Sequence, residues 1–97
     1  MELLLLSLAG CMAIDVRMIL EKSRVEVTSL GVRIEGERAE DEPRRFVRIQ
    51  MAFDLEGPTP EDEHRVARAI QLSEDKYCSV HHTLRPDLEV TTSYSLA

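Results

Sequence analysis

From Leu3 to about Lys22 the chain carries no proline, and its one interior glycine, Gly10, sits among strong helix formers, so the pattern predicts a helix. Through Ile14 that helix is apolar on every side, and Val16, Ile19 and Leu20 extend it at helical spacing. A helix that is apolar all round must be covered all round. The rest of the chain is too short to cover it unaided, so another subunit or a further part of the protein is expected to pack there. From Val25 to Arg38 the period changes to two: Val25, Val27, Leu30, Val32 and Ile34 alternate with polar residues, with an irregularity expected around Ser29 to Gly31.

After an acid-rich turn from Ala39 to Arg44, Val47, Ile49, Met51, Phe53 and Leu55 fall on one face and Arg48, Gln50 and Asp54 on the other. The two runs predict a hairpin with one buried face. Gly57-Pro58 stops the second strand. Thr59-Pro60-Glu61-Asp62 then supplies a capping hydroxyl, a proline at the first helical position and acids in the first turn. The helix that follows shows an apolar stripe of Val66, Ala67, Ala69 and Ile70 and runs to about Lys76. A short helix from Cys78 to Leu84 is stopped by Arg85-Pro86. Leu88, Val90, Thr92, Tyr94 and Leu96 then alternate as a final strand. The order helix, strand, strand, helix, short helix, strand makes one α+β domain over residues 1–97.

Composition narrows what such a domain does. With 43% apolar and 31% charged residues the chain is of ordinary globular type. A net charge of −6 with dispersed basic residues argues against nucleic acid, whose phosphates are bound by clustered Lys and Arg. An aromatic content of 4% without Trp argues against base stacking. Two cysteines, Cys11 and Cys78, are too few for a disulfide scaffold, and on sequence alone they are either unrelated thiols or one redox couple. The run LLSLAGCMAID, Leu5 to Asp15, has the ending of a lipoprotein signal. Only Met1 and Glu2 precede the apolar stretch, the first basic residue is Arg17, and the helical pattern continues past Cys11, so a buried helix is expected instead of an anchor. Asp15 and Arg17 cut the apolar run short of the ~20 residues a membrane span needs. A cytoplasmic protein with no membrane partner is expected.

Two segments carry a resemblance. GCMAIDVRMILEK, Gly10 to Lys22, followed by a hairpin, a helix and LSEDKYCSVHHTLRPDLEV, Leu72 to Val90, resembles the OsmC/Ohr family of thiol-dependent peroxidases over nearly the whole chain. The resemblance implies an α+β fold with a central cysteine-bearing helix and a sheet around it, assembled as an intimate homodimer with active sites at the subunit interface. It also implies a three-stranded segment ahead of the cysteine helix. These residues hold no counterpart of it, and Met1 falls where the family has an internal methionine.

By that resemblance Cys11 is the peroxidatic thiol, which attacks an organic hydroperoxide and becomes a sulfenic acid. Cys78 resolves it to a disulfide, and an external dithiol closes the cycle. Glu2 matches the family's acidic residue. The family's thiolate-pairing arginine would lie in the missing segment, and no residue here matches it. No cofactor is implied. The competing reading is a non-catalytic dimeric module of the same fold, structural or binding in role, whose two cysteines are small buried hydrophobes.

Physical chemistry adds constraints of its own. A thiol in apolar surroundings stays protonated, so Cys11, set amid Leu8, Met12 and Ile14, is expected to need a cation, whereas Cys78 at a helix start is expected to gain thiolate character from the helix dipole. Such an apolar setting suits an organic hydroperoxide better than hydrogen peroxide. His81 could tune that thiol as a base, and Cys78 and His82 could share a helix face as metal ligands. Two ligands fall short of the three or four that zinc takes, so no metal is expected. His81 and His82 read instead as surface or packing residues and His64 as solvated. The acids from Glu35 to Glu42 lack the order of a calcium loop and read as a hairpin tip.

Overall fold

The computed structural model describes residues 1–97. Helix α1 spans Glu2–Lys22, the hairpin strands are β1, Ser29–Arg38, and β2, Phe46–Glu56, and a 3₁₀ turn at Pro60–Asp62 leads into α2, Glu63–Leu72. A π turn, Ser73–Tyr77, then precedes the short helix α3, Ser79–Thr83, and the last strand β3, Glu89–Leu96. The sheet order is β1-β2-β3, with β1 antiparallel and β3 parallel to β2. The expected α+β architecture is the one observed.

One face of α1 makes the core. Leu8, Met12, Val16 and Leu20 recur every fourth residue and are fully buried, meeting Ile49, Met51, Phe53 and Leu55 from β2 and Val66, Ala69 and Ile70 from α2. The opposite face is open: Leu3, Leu6, Ile14 and Met18 are 78%, 63%, 63% and 51% exposed. By length and composition α1 is apolar enough to cross a membrane, against the expectation from Asp15 and Arg17. Its buried stripe shows the role it plays in this fold, which is that of a core helix.

The structure departs from the sequence reading at the ends of elements. The first strand starts at Ser29, because the chain first reverses: Arg24 takes φ 62°, and the Val25 amide bonds back to the Leu20 carbonyl at 2.9 Å. The β1–β2 register runs unbroken from Ser29 and shifts only between Glu37 and Arg38, where the hairpin loop begins, so the irregularity expected at Ser29 to Gly31 is absent. Ala67 is exposed, since the inward face of α2 is set by Val66, Ala69 and Ile70. Gly57, at φ +112°, is required where the chain leaves β2, because a Cβ there would sit 2.5 Å from the Glu26 carbonyl oxygen.

At the start of α2, the Asp62 carboxylate accepts the Thr59 amide at 3.0 Å and its hydroxyl at 3.2 Å, with Pro60 between them. At its end the expected run to Lys76 is replaced by the π turn. The Cys78 amide bonds to the Ser73 carbonyl at 2.8 Å, and this wider closure swings the chain under α1. Cys78 thereby becomes the cap of α3 instead of its first residue.

Phe53 is fully buried at the centre of this packing. Phe53→Ala is expected to cost about 3–5 kcal/mol, read as a lowered denaturation midpoint at unchanged m-value.

Candidate functional site

The π turn and the middle of α1 bring the two cysteines together. The Sγ atoms of Cys11 and Cys78 and a carboxylate oxygen of Asp15 lie within 4.8 Å of one another. Cys11 and Asp15 stand one helical turn apart on α1, so they share a face. Cys78 arrives from the far side, fully buried, and its sulfur accepts the His81 amide at 3.4 Å. Asp15 is fixed in turn: the hydroxyl of Ser73, itself completely buried, donates to Asp15 Oδ2 at 2.9 Å.

The two thiols are not equivalent. Partial burial pulls the Cys11 thiol up, but hydrogen bonds outweigh it: the Cys78 thiol, the Val80 amide and the Ser79 hydroxyl all favour the Cys11 thiolate, and its pKa falls below the ordinary thiol value against the opposing charge of Asp15. Cys78 goes the other way. It is pushed up to about 11 by burial and then by the hydrogen bond to Cys11, with the His81 amide opposing. The pair therefore ionises first at Cys11 and keeps its last proton on Cys78.

This reverses part of the sequence expectation. Cys11 is partly exposed and flanked by α3, and the Cys78 thiol, the Val80 amide and the Ser79 hydroxyl act where a cation was expected. At Cys78 the helix start does favour the thiolate, through the His81 amide, but burial outweighs it. The His81 ring lies 3.8 Å from Glu74, so it is the backbone of His81 that reaches the thiol, and His82 is exposed and outside the cluster. Glu2 is exposed on the first turn of α1, nine residues before Cys11 and so ~13 Å from it along the helix, and within one chain it does not join the thiols. Asp15, Ser73, Ser79 and the Val80 amide belong to the site and were not singled out from sequence. Asp15 one turn after Cys11 was the available signal.

Asp15 also borders a cleft of about 530 Å³ between α1 and α2. Met18, Ile19, Leu72 and Tyr77 give it apolar walls, and Lys22 and Arg68 add positive charge.

The chain is similar to known proteins over nearly its whole length. The family model described as OsmC-like protein matches residues 1–93. Protein YhfA of Escherichia coli strain K12 is 42% identical over 96 residues, covering 99% of this chain and 71% of its own length. The crystal structure of a hypothetical protein from Aquifex aeolicus VF5 superposes with a TM-score of 0.90 at 30% identity, covering 99% of this chain and 71% of that one. An organic hydroperoxide resistance protein from Elizabethkingia anophelis gives 0.73 at 15% identity over 98% of this chain and 66% of its own, a likeness of fold alone.

The thiol electrostatics are open to direct test. Alkylation by iodoacetamide is expected to modify Cys11 first, with a pH midpoint below that of a free thiol. Asp15→Asn removes a like charge and shifts that midpoint down, whereas Cys78→Ser and Ser79→Ala remove stabilising hydrogen bonds and shift it up. Equal rates at both thiols, or an upward shift in Asp15→Asn, would contradict the assignment.

Proposed function

From the chain's membership of the OsmC-like protein family, we propose that it is a thiol-dependent peroxidase that reduces organic hydroperoxides through Cys11 and Cys78. The observation that carries this reading is the meeting of two thiols at unequal depth, a partly exposed Cys11 and a buried Cys78 with sulfurs within 4.8 Å, and the direction of their pKa shifts agrees with it. The Cys11 thiolate attacks the distal oxygen of the hydroperoxide. The O–O bond breaks, the alkoxide leaves and takes up a proton as the alcohol, and Cys11 becomes a sulfenic acid.

That step removes the negative charge and the hydrogen bond that helped to hold the proton on Cys78. Cys78 then loses its proton and attacks the Cys11 sulfur, water departs, and an intramolecular disulfide forms. The sulfurs must close from within 4.8 Å to a bond of about 2.05 Å, a movement of at most ~2.8 Å. An external dithiol returns two electrons and two protons. The apolar part of the cleft beside Asp15, formed by Met18, Ile19, Leu72 and Tyr77, favours an organic group on the peroxide over hydrogen peroxide. A cytoplasmic setting, which keeps both thiols reduced between turnovers, fits this chemistry.

The open face of α1, with Leu3, Leu6, Ile14 and Met18, supports assembly as a homodimer through this helix. Glu2, exposed at the start of α1, would enter the chemistry only across such an interface. The charge of Asp15, which opposes the thiolate, favours a second reading in which the chain is a non-catalytic module of the same fold.

Treatment of the reduced chain with one equivalent of cumene hydroperoxide is expected to remove two hydrogens from its intact mass. Cys11→Ser abolishes the reaction, and Cys78→Ser leaves Cys11 as a sulfenic acid that a second equivalent of peroxide carries to sulfinic acid. An unchanged mass in the parent chain would sink the peroxidase reading and leave the non-catalytic one. Replacement of Leu6 and Ile14 together by Glu is expected to turn a dimer into a monomer in sedimentation, and a monomer before substitution would remove the dimer.

A further inference from the structure

The junction of α1 and α3 holds a ligand set as well as a thiol pair. We infer that the reduced Cys11 and Cys78, together with Asp15, bind one thiophilic divalent cation per chain, of the zinc type. The inference rests on where these side chains lie and does not depend on the pair being a peroxidase.

The geometry is close to what such an ion takes. Zinc sits about 2.3 Å from sulfur and about 2.0–2.2 Å from a carboxylate oxygen in a tetrahedron, whose sulfur–sulfur edge is then about 3.8 Å. The ligand atoms already lie within 4.8 Å of one another, so inward movement of about 1 Å completes the set. Cys11 and Asp15 project from one helix at i and i+4, the spacing at which a helix offers two ligands to one ion. The third ligand comes from the cap of α3, which the π turn holds in place.

Asp15 shows the features of a ligand. It forms no ion pair with any Lys or Arg of this chain, yet it faces two sulfurs whose deprotonation its own charge opposes. The buried Ser73 hydroxyl holds one of its oxygens at 2.9 Å, the outer-shell arrangement that orients a metal-binding carboxylate, and leaves further lone pairs free. A cation would neutralise the negative charge that Asp15 and the two sulfurs carry once both thiols have lost their protons. His81 and His82 lie outside the set, so the fourth tetrahedral position falls to water. Two sulfurs and one oxygen select zinc, cobalt or cadmium over magnesium and calcium. On binding, each thiol releases its proton to solvent, two sulfur–metal bonds form, and no electrons are transferred.

Cobalt(II) is the probe. Anaerobic titration of the reduced chain is expected to give thiolate-to-cobalt charge-transfer absorption and the visible bands of a tetrahedral ion, saturating at one equivalent and displaced by zinc(II). Cys11→Ser and Cys78→Ser each weaken the charge-transfer signal, and Asp15→Asn lowers affinity at least about tenfold. Because Asp15→Asn should at the same time make Cys11 easier to ionise, weaker binding with faster alkylation separates loss of a ligand from general damage. In the unmodified chain, zinc(II) is expected to protect both cysteines from iodoacetamide, a readout that needs no variant. Absence of the charge-transfer band, unprotected thiols, or undiminished affinity in Asp15→Asn would overturn the three-ligand site.

Discussion

The hydroxyl of Ser73 is completely buried, and a buried hydroxyl left without a partner costs about 1–3 kcal/mol. Its partner is Asp15, 58 residues earlier on α1. That single hydrogen bond ties the end of α2 to the middle of the long helix, and the π turn that begins at Ser73 then delivers Cys78 to Cys11. A regular α-helical continuation would send the chain along the α2 axis. The site therefore depends on a local departure from helical geometry, held by a polar contact at the edge of an otherwise apolar core.

The electrostatics follow from the same arrangement. Cys11 is polarised by groups that the turn and α3 supply, namely the Cys78 thiol, the Val80 amide and the Ser79 hydroxyl, with no cation of this chain among them. Each is a neutral donor, and together they outweigh partial burial and the charge of Asp15. Burial assigns the other role: Cys78, deeper in the core, keeps the proton. Two residues of one type acquire opposite behaviour from depth and from the direction of their hydrogen bonds.

Much of the fold is legible in the sequence because its periods are clean. β3 alternates throughout and the hairpin strands over most of their length, and the all-round apolarity of α1 foretells the face left open at Leu3, Leu6 and Ile14. The π turn is not legible, since nothing in Ser73–Tyr77 opposes an ordinary α-helix, and what accompanies the wider turn is tertiary: the bond to Asp15 and the burial of Cys78. The two cysteines are legible as chemistry-bearing residues, and the family likeness pairs them. Their surroundings are not: the support for the Cys11 thiolate is a backbone amide and a serine on a different element, invisible to spacing along α1. The reading of Cys78 as the residue favoured by a helix dipole fails because the sequence does not disclose its depth.

The claim on which all of this turns is that Cys11 and Cys78 form one polarised pair within a single chain. Equilibration in glutathione redox buffers of graded potential, with thiol content and intact mass followed at several protein concentrations, tests it most directly. The account predicts a single two-electron transition to an intramolecular disulfide whose midpoint does not depend on protein concentration. Oxidation that yields only glutathione adducts or intermolecular disulfides, with the two cysteines reacting independently, would contradict it.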